Sequence, residues 1–319
     1  MSSRFHKRMP LAEAPGHLTS PPYIFICSSS FEDRCLSFPG IMDPSIVSQA
    51  LVCQNEDLRD VVGSNTERLL AMFGEKAVRV LLRTDNPLYG ADNIHRALEQ
   101  FTPGVARNYL IDATTFTHEG LLILLNLLHR NGKPMDAALI AYNPAKGYAD
   151  WLTKGIGEIR SVLGYPGTPR PSRKCHLIVL TGYEVERAGM LIDAYEPAVV
   201  SLGLGGAEES VSKGLYKRNV LFHRRLKEKL KNVNEFTFSC VDAYATKSAI
   251  ERQIQEVKDF NVVLAPMNTK ISSVGAAMAA FSDERIQLCY AQAQQYNHEW
   301  YSVPSDECIL FDARGVFGE

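Results

Sequence analysis

Residues 268–275 read Asn-Thr-Lys-Ile-Ser-Ser-Val-Gly, shortly after the apolar run Asn261–Leu264. A polar turn between a strand end and a helix of small residues can hold an anion, because the first backbone N–H groups of a helix have no partner within it. Asn268, Thr269, Lys270 and Ser272 supply donors for a phosphate at that point, and Ser272 or Ser273 can cap the helix. Gly275, Ala276, Ala277 and Ala279 allow the helix to lie close to a sheet. Without a ligand, the same residues make an ordinary capped helix with a solvated lysine.

Hydroxyls also follow two apolar runs that look alike. Ser28, Ser29 and Ser30 come after Tyr23–Cys27, and Thr181 comes after His176–Leu180. Ser29, Ser30 and Thr181 are therefore candidate ligand contacts. Each loop carries a carboxylate and a guanidinium, Glu32 with Arg34 and Glu184 with Arg187. Both pairs are expected to order their loops. Exposed pairs contribute only about 0–1 kcal/mol, so recurrence in both loops points to a buried or ligand-linked place. Glu32, Glu184 and His118 are the candidate proton carriers if the site is catalytic.

Gly203, Gly205 and Gly206 could form an anion nest. The pattern is not G-x-G-x-x-G and does not open a helix after the first strand, so no dinucleotide cofactor is expected. The following stretch, 213–231, holds eight cations in nineteen residues, with Glu228 its sole acid. It is either a solvated face or a surface for nucleic acid or an acidic partner. Tyr142, Tyr148, Trp151, Tyr290, Tyr296, Trp300 and Tyr301 suit base stacking or packing between two halves of the chain.

The elements that must position these residues alternate. Tyr23–Cys27, Val78–Leu82, Asn108–Ile111 and Ala137–Ala141 have the pattern of buried strands, and Ile94–Phe101 and Glu119–His129 that of helices. Strands recur at His176–Leu180, Phe236–Cys240, Asn261–Leu264 and Ile286–Cys289. Such alternation predicts an α/β fold with mainly parallel sheets. Phe31-Glu32 recurs as Tyr183-Glu184 at an offset of 152, and Tyr148 as Tyr296 at an offset of 148. Two tandem Rossmann-like units related by a pseudo-two-fold axis are expected: an extension over 1–22, units over 23–163 and 173–319, and a linker over 164–172. Ligands of such sheets bind beyond the carboxyl ends of the strands. Aligned this way, Lys270 faces Thr117, which sits near Asp112 and Glu119. The second half should attract an anion, and the first should repel it or use a metal or neutral contacts.

Bulk composition excludes several classes. A net charge of −2 gives no global attraction to nucleic acid or anionic membranes. Seven cysteines without a C-x-x-C pair suggest neither a zinc site nor a disulfide framework, and fit a reducing compartment. No metal is expected. The apolar run Gly120–Leu128 is broken by Asn126 and falls short of the roughly 20 residues that span a bilayer. A cytoplasmic protein without membrane contact follows.

Residues 262–280 resemble a motif of the CRISPR-associated Rossmann fold family, sensors of cyclic oligonucleotides. That family ends the corresponding strand in Gly-Gly-Thr-Lys before a small-residue helix. Thr269 and Lys270 match, while Met267 and Asn268 stand where the glycines would be. The duplicated plan resembles the SAVED domains of bacterial anti-phage signalling. The resemblance implies a nucleotide-sensing subunit that binds a cyclic oligonucleotide or related phosphate ligand in a crevice between the halves, and passes the signal to a separate effector protein in prokaryotic defence. Two alternatives stay open: a ring-nuclease-like enzyme using the same crevice, and a scaffold or recognition subunit with a vestigial site.

Overall fold

The computed structural model describes residues 5–100, 108–131 and 136–317. It is a mixed α/β fold with mostly parallel sheets, divided into two compact units. One is built from the described residues of Met1–Ala149 and His298–Glu319, the other from Asp150–Asn297.

The first unit opens with β1 (His6–Pro10), β2 (Tyr23–Ser28), α1 (Arg34–Ser37), β3 (Val47–Asn55), α2 (Arg59–Phe73) and β4 (Ala77–Leu82). It continues with α3 (Pro87–Glu99), β5 (Asn108–Asp112), α4 (His118–Arg130), β6 (Ala137–Tyr142) and β7 (Ala145–Tyr148). The second unit holds β8 (Thr153–Pro166), β9 (Cys175–Leu180), α5 (Val185–Tyr195), β10 (Val199–Gly205), α6 (Lys213–Lys227) and β11 (Val233–Phe238). It ends with α7 (Ala243–Glu256), β12 (Asn261–Pro266), α8 (Lys270–Ser282) and β13 (Ile286–Tyr296). The chain then returns to the first unit as β14 (Ser302–Pro304), β15 (Glu307–Asp312) and α9 (Arg314–Phe317).

The first sheet has the order β1-β15-β6-β5-β2-β3-β4, and the second β11-β10-β9-β12-β13-β8. In each, five strands run parallel, and the strand beside β6 or β13 runs antiparallel. The parallel strands are apolar because helices cover both faces. All six residues of β2 are buried, as are Leu121, Leu122, Leu124, Leu125 and Leu128 of α4.

Several boundaries differ from the sequence reading. The expected extension over 1–22 supplies β1, which pairs with β15 and buries Met9; residues 1–4 lie outside the described residues. The expected linker over 164–172 begins inside β8, because that strand runs on to Pro166. Residues 298–317 belong to the first unit, where β15 joins the sheet beside β6 and β14 pairs with β7, not to the second unit. Helix α3 starts at Pro87 rather than at Ile94 and ends at Glu99, with Phe101 outside the described residues. Among the described residues, seven strands fall outside the expected set: the parallel strands β3 and β10, and β1, β7, β8, β14 and β15. β10 absorbs the proposed anion nest: a Cβ on Gly203 would lie 2.8 Å from the Phe236 ring, and one on Gly205 would lie 2.3 Å from the Cys240 sulfur. These glycines make room for neighbouring side chains instead of forming a ligand loop.

Candidate functional site

The loop after β2 is tied down by its own polar groups. The Ser29 amide and hydroxyl both donate to the Cys53 carbonyl, at 2.8 and 3.2 Å, and Thr66 donates to the Ser29 oxygen. Ser30 accepts from the Glu32 amide. Glu32 and Arg34 pair at 2.8 Å, with side chains only 8% and 4% exposed. Arg34 also donates to the Asn143 carbonyl and lies over the Tyr148 ring, while the Ser302 hydroxyl donates to Glu32. Burial alone would lower the Arg34 pKa, but the Glu32 carboxylate, Tyr148 and Tyr142 hold it above its ordinary value. A buried ion pair with its remaining donors satisfied is costly to break from one side.

The second unit repeats this construction. The Thr181 amide and hydroxyl donate to the Gly203 carbonyl, at 3.0 and 2.6 Å. The hydroxyl also touches His223 Nδ1 at 3.0 Å, and His223 Nε2 reaches Glu235. Arg187 pairs with Glu184 at 2.5 Å, donates to the Ala291 carbonyl and lies over Tyr290. The Thr153 hydroxyl donates to Glu184. In the first unit the pair ties the loop to Asn143 and to Ser302 of β14, and in the second to Ala291 of β13 and Thr153 of β8. Tyr142, Tyr148, Tyr290 and Tyr296 serve this purpose, surrounding the guanidinium within each unit.

At the start of α8 the capping residue is Thr269, not Ser272 or Ser273. Its oxygen accepts from the Ser272 amide, and its hydroxyl donates to the Cys240 carbonyl. Ser272 is fully buried and turns its hydroxyl back to the Thr269 carbonyl at 2.8 Å. Asn268 donates to the Thr181 carbonyl. Gly182 is forced by this turn, since a Cβ there would lie 1.9 Å from the Met267 carbonyl oxygen. Of the proposed phosphate donors, Lys270 stands at the first helical position, half-buried. The cap corrects the earlier alignment. Thr117 caps α4 as Thr269 caps α8, so His118 rather than Thr117 occupies the place of Lys270. The first unit's turn is one residue longer.

A cleft opens at the carboxyl ends of β2, β3 and β4, between the starts of α3 and α4. It is open to solvent, with a cavity volume of about 40 Å³. Leu82, Pro87, Ala91, Ile94 and Ile123 form an apolar wall, and Ser28, Asn55, Arg83, Thr84, Thr117 and Glu119 bring polar atoms. Arg83 is held by Asp85 through two bonds of 3.0 and 2.8 Å. Thr84 donates from its amide and its hydroxyl to Asp57, both at 2.6 Å. Glu119 is 4% exposed. The cleft thus combines an apolar wall with one guanidinium and several hydrogen-bonding groups. Sequence reasoning missed Asn55, Arg83 and Thr84. The signal was the pair Asn86-Pro87, a cap followed by proline at the first helical position, which marks a helix start beside a strand end.

Deeper in the same unit lies Asp112, at the end of β5. Burial pushes its carboxyl up to about 6, against hydrogen bonds from Thr114 and the charge of Arg34. Among the described residues, no three His, Cys, Asp or Glu side chains form a metal-binding group, and no helix is long and apolar enough to cross a membrane.

No family model matches the chain, and no curated protein is similar to it. Among solved structures, the crystal structure of the cytoplasmic domain of a prokaryotic cation chloride cotransporter is similar at 9% sequence identity. The match covers 86% of this chain and 98% of that chain, with a TM-score of 0.25. At that TM-score the likeness carries nothing over to this chain.

Proposed function

We propose that the chain is a nucleotide-binding sensor whose ligand places a base in the cleft of the first unit. The observation that carries this reading is the cleft itself: it lies at the carboxyl ends of parallel strands, where such sheets take their ligands. Its apolar wall suits the faces of a base. Asn55 and Glu119 offer partners for the base edge, and Arg83 offers a donor for phosphate. The matching strand orders and the recurrent Glu–Arg pins favour two Rossmann-like units derived by internal duplication, which agrees with a CRISPR-associated Rossmann fold or SAVED-like sensor of cyclic oligonucleotides. On this reading the protein is cytoplasmic, works in anti-phage defence and passes its signal to a separate effector. That Glu32 and Glu184 are held in ion pairs with Arg34 and Arg187 favours binding over the ring-nuclease alternative.

Calorimetry against cyclic di-, tri- and tetranucleotides and mononucleotides tests the proposal. At least one should bind with micromolar or better affinity. Ala91→Trp, which fills the cleft, should abolish that binding while a thermal melt shows a folded protein. Arg83→Ala should weaken it about tenfold, the loss of roughly one charge-assisted hydrogen bond. Binding that survives Ala91→Trp but vanishes in Lys270→Ala would move the site to the second unit. No heat from any ligand would leave the scaffold reading. Chromatography of the recovered ligand separates the sensor, which returns it intact, from a ring nuclease.

A further inference from the structure

Helix α6 runs over Lys213–Lys227, about 22 Å at 1.5 Å per residue. It buries Leu215, Asn219, His223 and Leu226. At about 100° per residue these four share one face, and Lys213, Lys217, Arg224 and Lys227 fall within an arc of roughly 80° centred about 120° away from it. All four are exposed. Arg218 and Arg225 form a second row beside them. Lys229 and Lys231 extend the cations past the helix end. Glu235 accepts from Lys227, and Glu228 is the one acid inside the stretch, so a large positive excess remains in a chain whose net charge is −2.

The second row is built on aromatic rings. Arg218 lies 5.2 Å from the Tyr183 ring centroid and 5.6 Å from that of Phe222, and Arg225 lies 5.7 Å from Phe222. Tyr183 and Phe222 meet edge to face at 5.8 Å, and the Tyr183 hydroxyl donates to the Leu215 carbonyl. Leu221, 54% exposed, stands between the two rows. A purely solvated helix face has no use for an exposed leucine and a ring pair framed by guanidinium groups. A line of cations beside apolar and aromatic surface is the combination that holds a single strand of nucleic acid, with phosphates along the charges and bases against the rings.

We propose that the exposed face of α6 binds single-stranded nucleic acid through its phosphodiester backbone. This activity is separate from the ligand cleft of the first unit and does not rest on it. The charge excess supplies the attraction, and the Tyr183–Phe222–Leu221 surface favours a single strand over a duplex.

The test is fluorescence anisotropy with a labelled single-stranded oligonucleotide of about 20 nucleotides, titrated at several salt concentrations. The wild-type protein should bind, with affinity falling as salt rises at a slope set by the phosphates it neutralises. The triple variant Lys213→Glu, Lys217→Glu, Arg224→Glu changes exposed side chains only. It should bind at least tenfold more weakly and with a shallower salt dependence, while its melting temperature stays close to wild type. Leu221→Ala should weaken the single strand but not a duplex of the same length, and Ala91→Trp should leave oligonucleotide binding unchanged. The proposal is overturned if the wild type does not bind, if the triple variant binds equally well, or if polyglutamate competes as effectively as the oligonucleotide. That last result would mark the face as a site for an acidic protein.

Discussion

At the ends of their sheets the two units treat the same pair of helices differently. In the first unit α3 and α4 begin on either side of a cleft, and Ile123, six residues past the cap of α4, forms part of its wall. In the second unit the residue six past the cap of α8 is Gly275. A Cβ there would lie 2.6 Å from the Ala243 carbonyl oxygen and 2.7 Å from Thr246 Cβ, so α7 and α8 are in contact. Ile123 lines the cleft beside one pair of helices, and Gly275 lets the other pair pack closely. A strong motif in the sequence is therefore no guide to where a ligand fits. Gly275 and its alanine neighbours drew attention to the second unit, but what they do is pack α8 tightly against α7.

The largest effects should come from the feature the units share. Arg34→Ala leaves the Glu32 carboxylate buried without its cation, and Arg187→Ala does the same to Glu184. Removing one partner of a buried pair costs about 3–5 kcal/mol. Chemical denaturation should show the greater loss for Arg34, whose side chain is 4% exposed against 10% for Arg187. Equal and negligible losses would show that the pins do not hold the loops in place.

Acid should push the units in opposite directions. Asp112 of the first unit has its pKa raised to about 6 by burial, above the unfolded value, so the folded state binds the extra proton. Its contribution to stability therefore improves as pH falls from above 6 toward 4. His176 of the second unit is lowered to about 4 by burial. Its unfolded form takes the proton first, so stability is lost as pH falls from 6.5 toward 4. Each shift of about two units corresponds to roughly 3 kcal/mol at most. Hydrogen exchange read unit by unit at pH 7 and pH 5 should show the second unit opening more easily in acid and the first less so. Asp112→Asn should remove the first unit's response.

A smaller effect sharpens the contrast between the helix pairs. Gly275→Ala forces a methyl group against backbone and should cost about 1–3 kcal/mol as overpacking. An unchanged melting temperature would mean that α7 and α8 do not touch at that point.

The parallel core was legible because buried strands are short apolar runs, as Tyr23–Cys27 and His176–Leu180 show. β3 was missed because Ser48 and Gln49 interrupt its apolar pattern, and β10 because Gly203 and Gly205 mimic a turn until Phe236, Phe238 and Cys240 are seen packed against them. The return of Glu307–Asp312 to the first sheet could not be read from local pattern, since strand pairing over such a separation leaves no periodic trace. The hydroxyl-rich loops were placed correctly at the strand ends. Whether Ser29, Thr181, Thr269 and Ser272 faced a ligand or a carbonyl depended on neighbours distant in sequence, and each hydroxyl bonds within its own unit.

The most direct test of the cleft is a hydrogen-exchange footprint, taken with and without the nucleotide that binds in calorimetry. Protection is expected in peptides covering residues 82–94 and 117–123, at the starts of α3 and α4, with little change at 268–282. Protection confined to 268–282 would contradict the assignment and place the ligand at the Thr269-Lys270 turn.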